Sequence, residues 1–191
     1  VVDFQIKALN HIAEQDNDLQ VPQILPTTKN KPFDWIQSDS GHRHIIRMLT
    51  YMEGDVMDET PAAYTPQTRY NIGVMVGRLT KSLRNFYHPF ARNNDHLWEM
   101  SRCLELRPYV RYLQDRSTRE LCDNILNRAE RFILTQIKRI RWQIVHHEAH
   151  PDNVLVDPQD PSRVVGIKDF CDMMYGTQLA DLAAATDYSD Q

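Results

Sequence analysis

Apolar residues Phe4, Ile6, Leu9, Ile12 and Ala13 fall roughly on one helical face between Val2 and about Glu14, and the polar run Gln15 to Asn17 closes it. A short amphipathic helix therefore opens the chain. Three stretches then read as extended: Val21 to Leu25 between two prolines, Phe33 to Gln37, and His44 to Met52. They predict a small antiparallel sheet whose last strand runs into Glu53-Gly54-Asp55, where glycine lets the chain change direction. After the cap-and-proline pair Thr65-Pro66, helical spacing of Ile72, Met75, Val76, Leu79, Leu83 and Phe86 predicts a long core-facing helix lasting to Pro89. Gly73 and Gly77, four apart on it, predict close packing against a neighbour.

From Ala91 to Asp115 the pattern is mixed, and two short helices joined by irregular chain are expected. Ser117-Thr118-Arg119-Glu120 has the form of a capping box, and Leu121, Ile125, Ala129, Phe132, Ile133, Ile137 and Ile140 share one face behind it. The periodicity then changes. Short apolar runs at Ile144-Val145, Val154 to Val156 and Val164 to Ile167, separated by the turn-rich stretch 157–162, predict a loop, a strand, a turn and a second strand. Gln178 to Thr186 predicts a final helix with Leu179, Leu182 and Ala183 as its buried stripe.

Composition adds limits. With 41% hydrophobic and 25% charged residues in a chain of 191, one globular domain is the default. A net charge of -4 leaves no basic surplus for a phosphate backbone, so nucleic acid is excluded as the expected partner, and amine-bearing substrates fit better. No run approaches the roughly 18 apolar residues of a membrane span, so no membrane partner is expected. Three cysteines, odd in number and without metal-ligand spacing, point to a reducing compartment, the cytoplasm. The start at Val1, without an initiator Met, is read as one part of a longer protein.

The chemistry concentrates between His146 and Cys171. Glu148, the amide of Asn153 five residues on, and Asp169 at the end of the next hairpin strand are the parts that phosphoryl transfer needs. One carboxylate orients an attacking hydroxyl, while an amide oxygen and a second carboxylate suit a hard divalent cation. The zinc reading of the crowded histidines fails on spacing, since His147-Glu148-Ala149-His150 is one residue short of H-E-x-x-H. His146 and His150 keep a four-residue spacing, but Pro151 opposes a continuous helix.

With His146, Asn153, Ile167, Asp169 and Phe170 at the specifying positions, the segment resembles the aminoglycoside phosphotransferase and choline kinase families, whose signature is H-G-D-x-x-x-x-N followed by h-I-D-F-G. The runs Gly77 to Pro89 and Asp172 to Gly176 are most similar to the hydroxylysine kinase branch and its bacterial relatives. The resemblance implies an α+β, protein-kinase-like fold truncated at both ends, with a partial nucleotide-binding N-lobe and hinge over 1–54 and a helical catalytic lobe over 55–191. It further implies ATP and Mg2+ as cofactors and a hydroxylysine-like amino alcohol as substrate. Carried over, Glu148 stands at the catalytic base, Asn153 and Asp169 at the metal ligands, and His146 at the brace of the catalytic loop. Asp181 caps that loop, and Thr50, Tyr51 and Met52 form the adenine-receiving hinge. Asp152 and Asp172 are candidates to attract a substrate amine.

Departures from the signature define the rival reading, a catalytically impaired, pseudokinase-like relative. Glu148 stands where the family has Asp, and Lys168 occupies an apolar position. His147 and Cys171 replace glycines, which adds strain wherever φ is positive. Gln5 falls where the family has a helix glutamate that pairs with the ATP-binding lysine, and it supplies no charge.

Overall fold

A computed structural model describes residues 1–92 and 98–187. Helix α1 (Val2–Gln15) buries Phe4, Ile6, Leu9 and Ile12 of the stripe that its spacing predicts, and Gln5 and Ala8 besides, whereas Ala13 is only half-buried. Beyond it the chain forms one long interrupted hairpin: β1 (Ile24–Leu25) pairs antiparallel with β4 (Met48–Leu49), and β2 (Asp34–Gln37) with β3 (Arg43–Ile46). The expected single sheet is therefore two separate two-stranded ladders, and the expected strand from His44 to Met52 breaks at Arg47. The β1–β4 and β2–β3 registers differ, so the strands cannot run on as one ladder.

Gly54, at φ +133°, turns the chain out of this region as expected, a conformation that side chains rarely adopt. β5 (Asp55–Val56), which the pattern did not announce, then joins β7 (Val154–Val156) and β8 (Val164–Ile167) in an antiparallel sheet ordered β5-β7-β8. β6 (Trp142–Val145) pairs with β9 (Met174–Thr177), a strand likewise absent from the sequence reading.

Helix α2 (Pro66–Ser82) starts where Thr65 accepts the Thr68 N–H. It stops at Ser82 rather than at Pro89. The apolar spacing continues past the helix because the turn that follows serves the same core: Leu83 is fully buried, and Phe86 stacks on Phe4 at 6.2 Å. Gly73 and Gly77 do not pack closely. Both face solvent, and a Cβ at either would meet nothing within 4 Å. Three polar contacts pin this helix to the rest. Arg78 grips the Asp16 carboxylate with two nitrogens at 2.7 and 2.5 Å. Asn71 donates to Ser162 O, and Gln143 of β6 donates to Thr80 O.

α3 (Pro89–Arg92) and a 3-10 helix (Met100–Tyr112) occupy the region expected as two short helices, of which 93–97 lie outside the described residues. α4 (Arg116–Arg128) begins one residue after Asp115, not at Ser117. Asp115 takes the cap because its carboxylate accepts from Thr118 N–H, Thr118 Oγ1–H and Ser117 Oγ–H, bonds that hold its carboxyl down at about 2. Glu120, freed from the box, pairs with Arg116 at 2.7 Å. The helical path continues through a π turn (Ala129–Ile133), α5 (Leu134–Gln136) and a 3-10 turn (Ile137–Arg139). Of the predicted stripe Ala129 and Ile137 are buried whereas Leu121, Ile125, Phe132 and Ile133 are exposed, and Leu126, off that stripe, is buried instead.

α6 (Leu179–Asp187) departs from its predicted stripe: Ala180, Asp181 and Ala185 are buried, while Leu179, Leu182 and Ala183 face solvent. The carboxylate of Asp181 has to reach the loop before β7, and that sets the rotation of the helix. Among the described residues no helix is long and apolar enough to cross a membrane.

Gly166, on β8, lies against Met52 and Gln20. An added Cβ would meet the Met52 methyl and lie 2.9 Å from Gln20 O, a backbone atom that cannot swing aside. Gly166→Ala is expected to cost about 2 kcal/mol in urea unfolding, the scale of an overpacked core.

Candidate active site

The segment from His146 to Asp169 is assembled by one buried imidazole and one buried carboxylate. His146 is fully buried, at the end of β6. Its Nδ1 accepts the Glu148 N–H at 3.2 Å, and its Nε2 donates to Lys168 O at 3.0 Å. One nitrogen accepting and the other donating is the pattern of a neutral ring. Burial agrees, pushing the imidazole down to about 4. Phe170 packs edge-on against the ring at 4.5 Å. With both nitrogens committed to backbone, His146 has none left for a metal, and no group of three or more His, Cys, Asp or Glu among the described residues could hold one. That removes the zinc reading.

Asp181 works from the other side. Fully buried, it accepts the backbone N–H of His146 at 3.2 Å and that of His147 at 2.6 Å. Desolvation pushes its carboxyl up to about 6 against the pull of those two bonds. His146 and Asp181 are thus both in contact with the loop, and between them they take the backbone N–H groups of His146, His147 and Glu148.

His147 does adopt a positive φ, +77°, and so carries the strain foreseen for a replaced glycine. Cys171 does not; the second positive φ falls instead on Asp169, at +57°, two residues earlier. The Asp169 side chain steadies that turn by accepting the Cys171 N–H at 3.1 Å. His147→Gly is expected to raise unfolding stability by about 1 kcal/mol, measured by chemical denaturation.

Asn153 and Asp169 are brought to one place by the β7–β8 ladder, since Lys168 N–H donates to Asn153 O at 2.9 Å. Asn153 is buried, and its Nδ2 donates to Glu148 O at 3.0 Å, which leaves its side-chain oxygen turned away from that bond. An uncommitted amide oxygen beside an exposed carboxylate is an all-oxygen donor pair, suited to a hard divalent cation. Lys168 lies just past the end of β8 and is half-buried.

Glu148 is half-buried and its Oε2 lies 2.8 Å from His150 Nε2. Asp152 is exposed and Asp172 half-buried. The three hinge residues are not gathered with this group. Thr50 pairs with Gln23 through its backbone N–H and its hydroxyl, and Tyr51 is 88% exposed. Together with Met52 they line a cavity of ≈ 880 Å³ that also includes Leu19, Val21 and Val165, whereas Glu148, Asn153 and Asp169 are not among its walls.

Two contacts escaped the sequence reading. Gln5, singled out only for its missing charge, is buried on α1 and donates to Cys171 O at 3.3 Å, tying the first helix to the Asp169 turn. His150, weighed only as a metal ligand, faces Glu148; its place two residues after that carboxylate was the available signal.

The sequence profile of the APH phosphotransferase enzyme family matches residues 2–191. The chain belongs to this family. This phosphotransferase-family chain is 30% identical over 164 residues to hydroxylysine kinase of Mus musculus, an alignment covering 80% of the chain and 43% of that relative. With hydroxylysine kinase of Danio rerio it shares 24% over 196 residues, covering 98% of the chain and 54% of the relative. It therefore spans about half the length of the curated relatives it matches. An amicoumacin kinase solved with AMP-PNP and Ca2+ superposes at a TM-score of 0.67 and 14% identity, covering 96% of this chain and 51% of that one. A microcompartment-associated aminopropanol kinase superposes at 0.58 and 18%, covering 96% and 57%. The fold of this family member is protein-kinase-like, mixed α+β, as the sequence resemblance implied.

Proposed function

We propose that the chain is the catalytic part of an ATP- and Mg2+-dependent phosphotransferase acting on the hydroxyl of a small, hydroxylysine-like amino alcohol. The observation that supports the reading is the loop carrying Glu148 and Asn153, which His146 and Asp181 fix through backbone hydrogen bonds, with the turn at Asp169 tied to it by the Lys168 N–H on Asn153 O. In this reading 1–54 is part of a nucleotide-binding lobe with Thr50, Tyr51 and Met52 as its hinge, and 55–191 is the helical catalytic lobe. Three free cysteines suit a reducing cytoplasm.

Asn153 and Asp169 would hold Mg2+, which supplies charge neutralisation on the polyphosphate when bound. Glu148 orients the substrate hydroxyl for in-line attack and accepts its proton as the new P–O bond to the γ-phosphorus forms and the bond from that phosphorus to the β–γ bridging oxygen breaks, releasing ADP. Asp169 is held by its own turn, and Asn153 by the Glu148 carbonyl, so neither has to reorganise when charge develops. Asp152 and Asp172 place negative charge near the loop, where a substrate ammonium would be attracted.

The competing reading, a relative that folds but transfers nothing, draws on Gln5, whose amide is occupied by Cys171 O where a charged partner would be needed. Incubation with Mg-ATP and a panel of 5-hydroxylysine, choline, ethanolamine and an aminoglycoside separates the two. The expected result is a new phosphomonoester signal in 31P NMR with hydroxylysine. Mg-ATP binding without phosphorylation of any acceptor would establish the non-catalytic reading instead.

A further inference from the structure

Glu148, His150 and Asp152 alternate along one short loop whose backbone is fixed at both ends. His147 enters it with φ +77°, and Pro151 opens a 3-10 turn over Pro151–Asn153. His150, the residue before that turn, is held extended at φ -88° and ψ 166°, as a residue preceding proline prefers. Its ring therefore has one place to go, between the two carboxylates. The side chain is 20% exposed, against 31% for Glu148 and 63% for Asp152. Nε2 donates to Glu148 Oε2 at 2.8 Å and has Asn153 Nδ2 at 3.4 Å, and Nδ1 lies 3.2 Å from Asp152 Oδ2.

We infer that His150 is a positioning residue for Glu148: its imidazole fixes the longer carboxylate that stands at the base position, and Asp152 biases the ring towards that orientation. The inference rests on the proposed role of Glu148. A glutamate has one more rotatable bond than an aspartate and, left alone, spreads its carboxylate over several rotamers. A partner 2.8 Å away on a rigid turn removes that spread. The pair is worth more than a surface ion pair because the ring is largely buried and its backbone cannot follow a moving glutamate. An aspartate at 148, one methylene shorter, would no longer reach the ring, so the histidine would have nothing to position.

A double-mutant cycle on the full-length protein tests this. His150→Ala is expected to lower kcat about 30-fold, with the KM values for ATP and acceptor changed less than about threefold, because a misplaced base of about 1 Å costs on the order of 100-fold at most. His150→Gln, which keeps an N–H donor and guards against a simple folding defect, recovers most of the loss. In a Glu148→Asp background the further change to His150→Ala adds less than about threefold. Equal losses in both backgrounds would overturn the inference. A second readout needs no turnover: in 15N NMR of labelled histidine, the His150 Nε2 signal shifts strongly on Glu148→Ala. An unmoved signal overturns the positioning role, whereas a shifted signal in a protein that phosphorylates nothing keeps the His150–Glu148 contact but overturns the kinase reading and with it the positioning of a base.

Discussion

Asp169→Ala is expected to abolish Mg2+-dependent nucleotide binding and lower phosphoryl transfer by about 10³-fold, roughly 4 kcal/mol of transition-state stabilisation. The carboxylate is exposed at the mouth of the β7–β8 hairpin, and its local structural bond goes to Cys171 N–H at 3.1 Å. Asp169→Asn isolates charge from backbone: asparagine tolerates the left-handed φ of +57° and can accept the same N–H. That variant should therefore keep the wild-type unfolding midpoint within about 0.5 kcal/mol while losing Mg2+ affinity in isothermal titration. Retained Mg2+-dependent turnover in Asp169→Asn would remove this residue from the metal site. A parallel loss of stability in both variants would assign it to the turn.

The second large effect is on stability. Asp181→Ala removes a fully buried acceptor and orphans two backbone N–H groups, those of His146 and His147. The expected cost is about 3–5 kcal/mol in urea unfolding, the range for breaking a buried charged interaction. Its pH dependence has a definite sign. Asp181 is raised to about 6, so its contribution is complete below the unfolded value of 3.8 and is lost as pH rises through 6. His146 is lowered to about 4, so its contribution is complete above 6.5 and is lost as pH falls through 4. Each is on the order of 3 kcal/mol and the two oppose each other between pH 4 and 6. Wild-type stability should be nearly flat there as far as this pair is concerned. Asp181→Asn unmasks the histidine, and its stability should climb by about 3 kcal/mol between pH 4 and 6.5. A decline over that interval would contradict the assignment of His146 as neutral.

The site was more legible than the lobe around it. Short-range constraints, the turn at Gly54, the hairpin from Val154 to Ile167 and the spacing of Asn153 and Asp169, are local in the chain, and local pattern reports them. What escaped was decided by distant partners. β9 is a strand because β6 lies beside it, and α6 turns its leucines outward because Asp181 is claimed by a loop 34 residues earlier. The capping box at Ser117 lost to Asp115, whose carboxylate takes the Thr118 N–H and two hydroxyls besides. Phe86 had helical spacing without helical structure, since a core counts only which side a residue faces. Thr50, Tyr51 and Met52, expected as the hinge, line a cavity whose walls do not include Glu148, Asn153 or Asp169.

The Asp181 contact also sets an order of assembly. A nascent chain exposes its residues in sequence, so when His146 and His147 leave the ribosome the carboxylate that secures them has yet to be made. The loop from His146 to Asn153 can be held in its final shape only after α6 has emerged and docked. A translation product ending before residue 181 would therefore carry every proposed catalytic and metal-binding side chain and still lack the clamp that holds their loop in place.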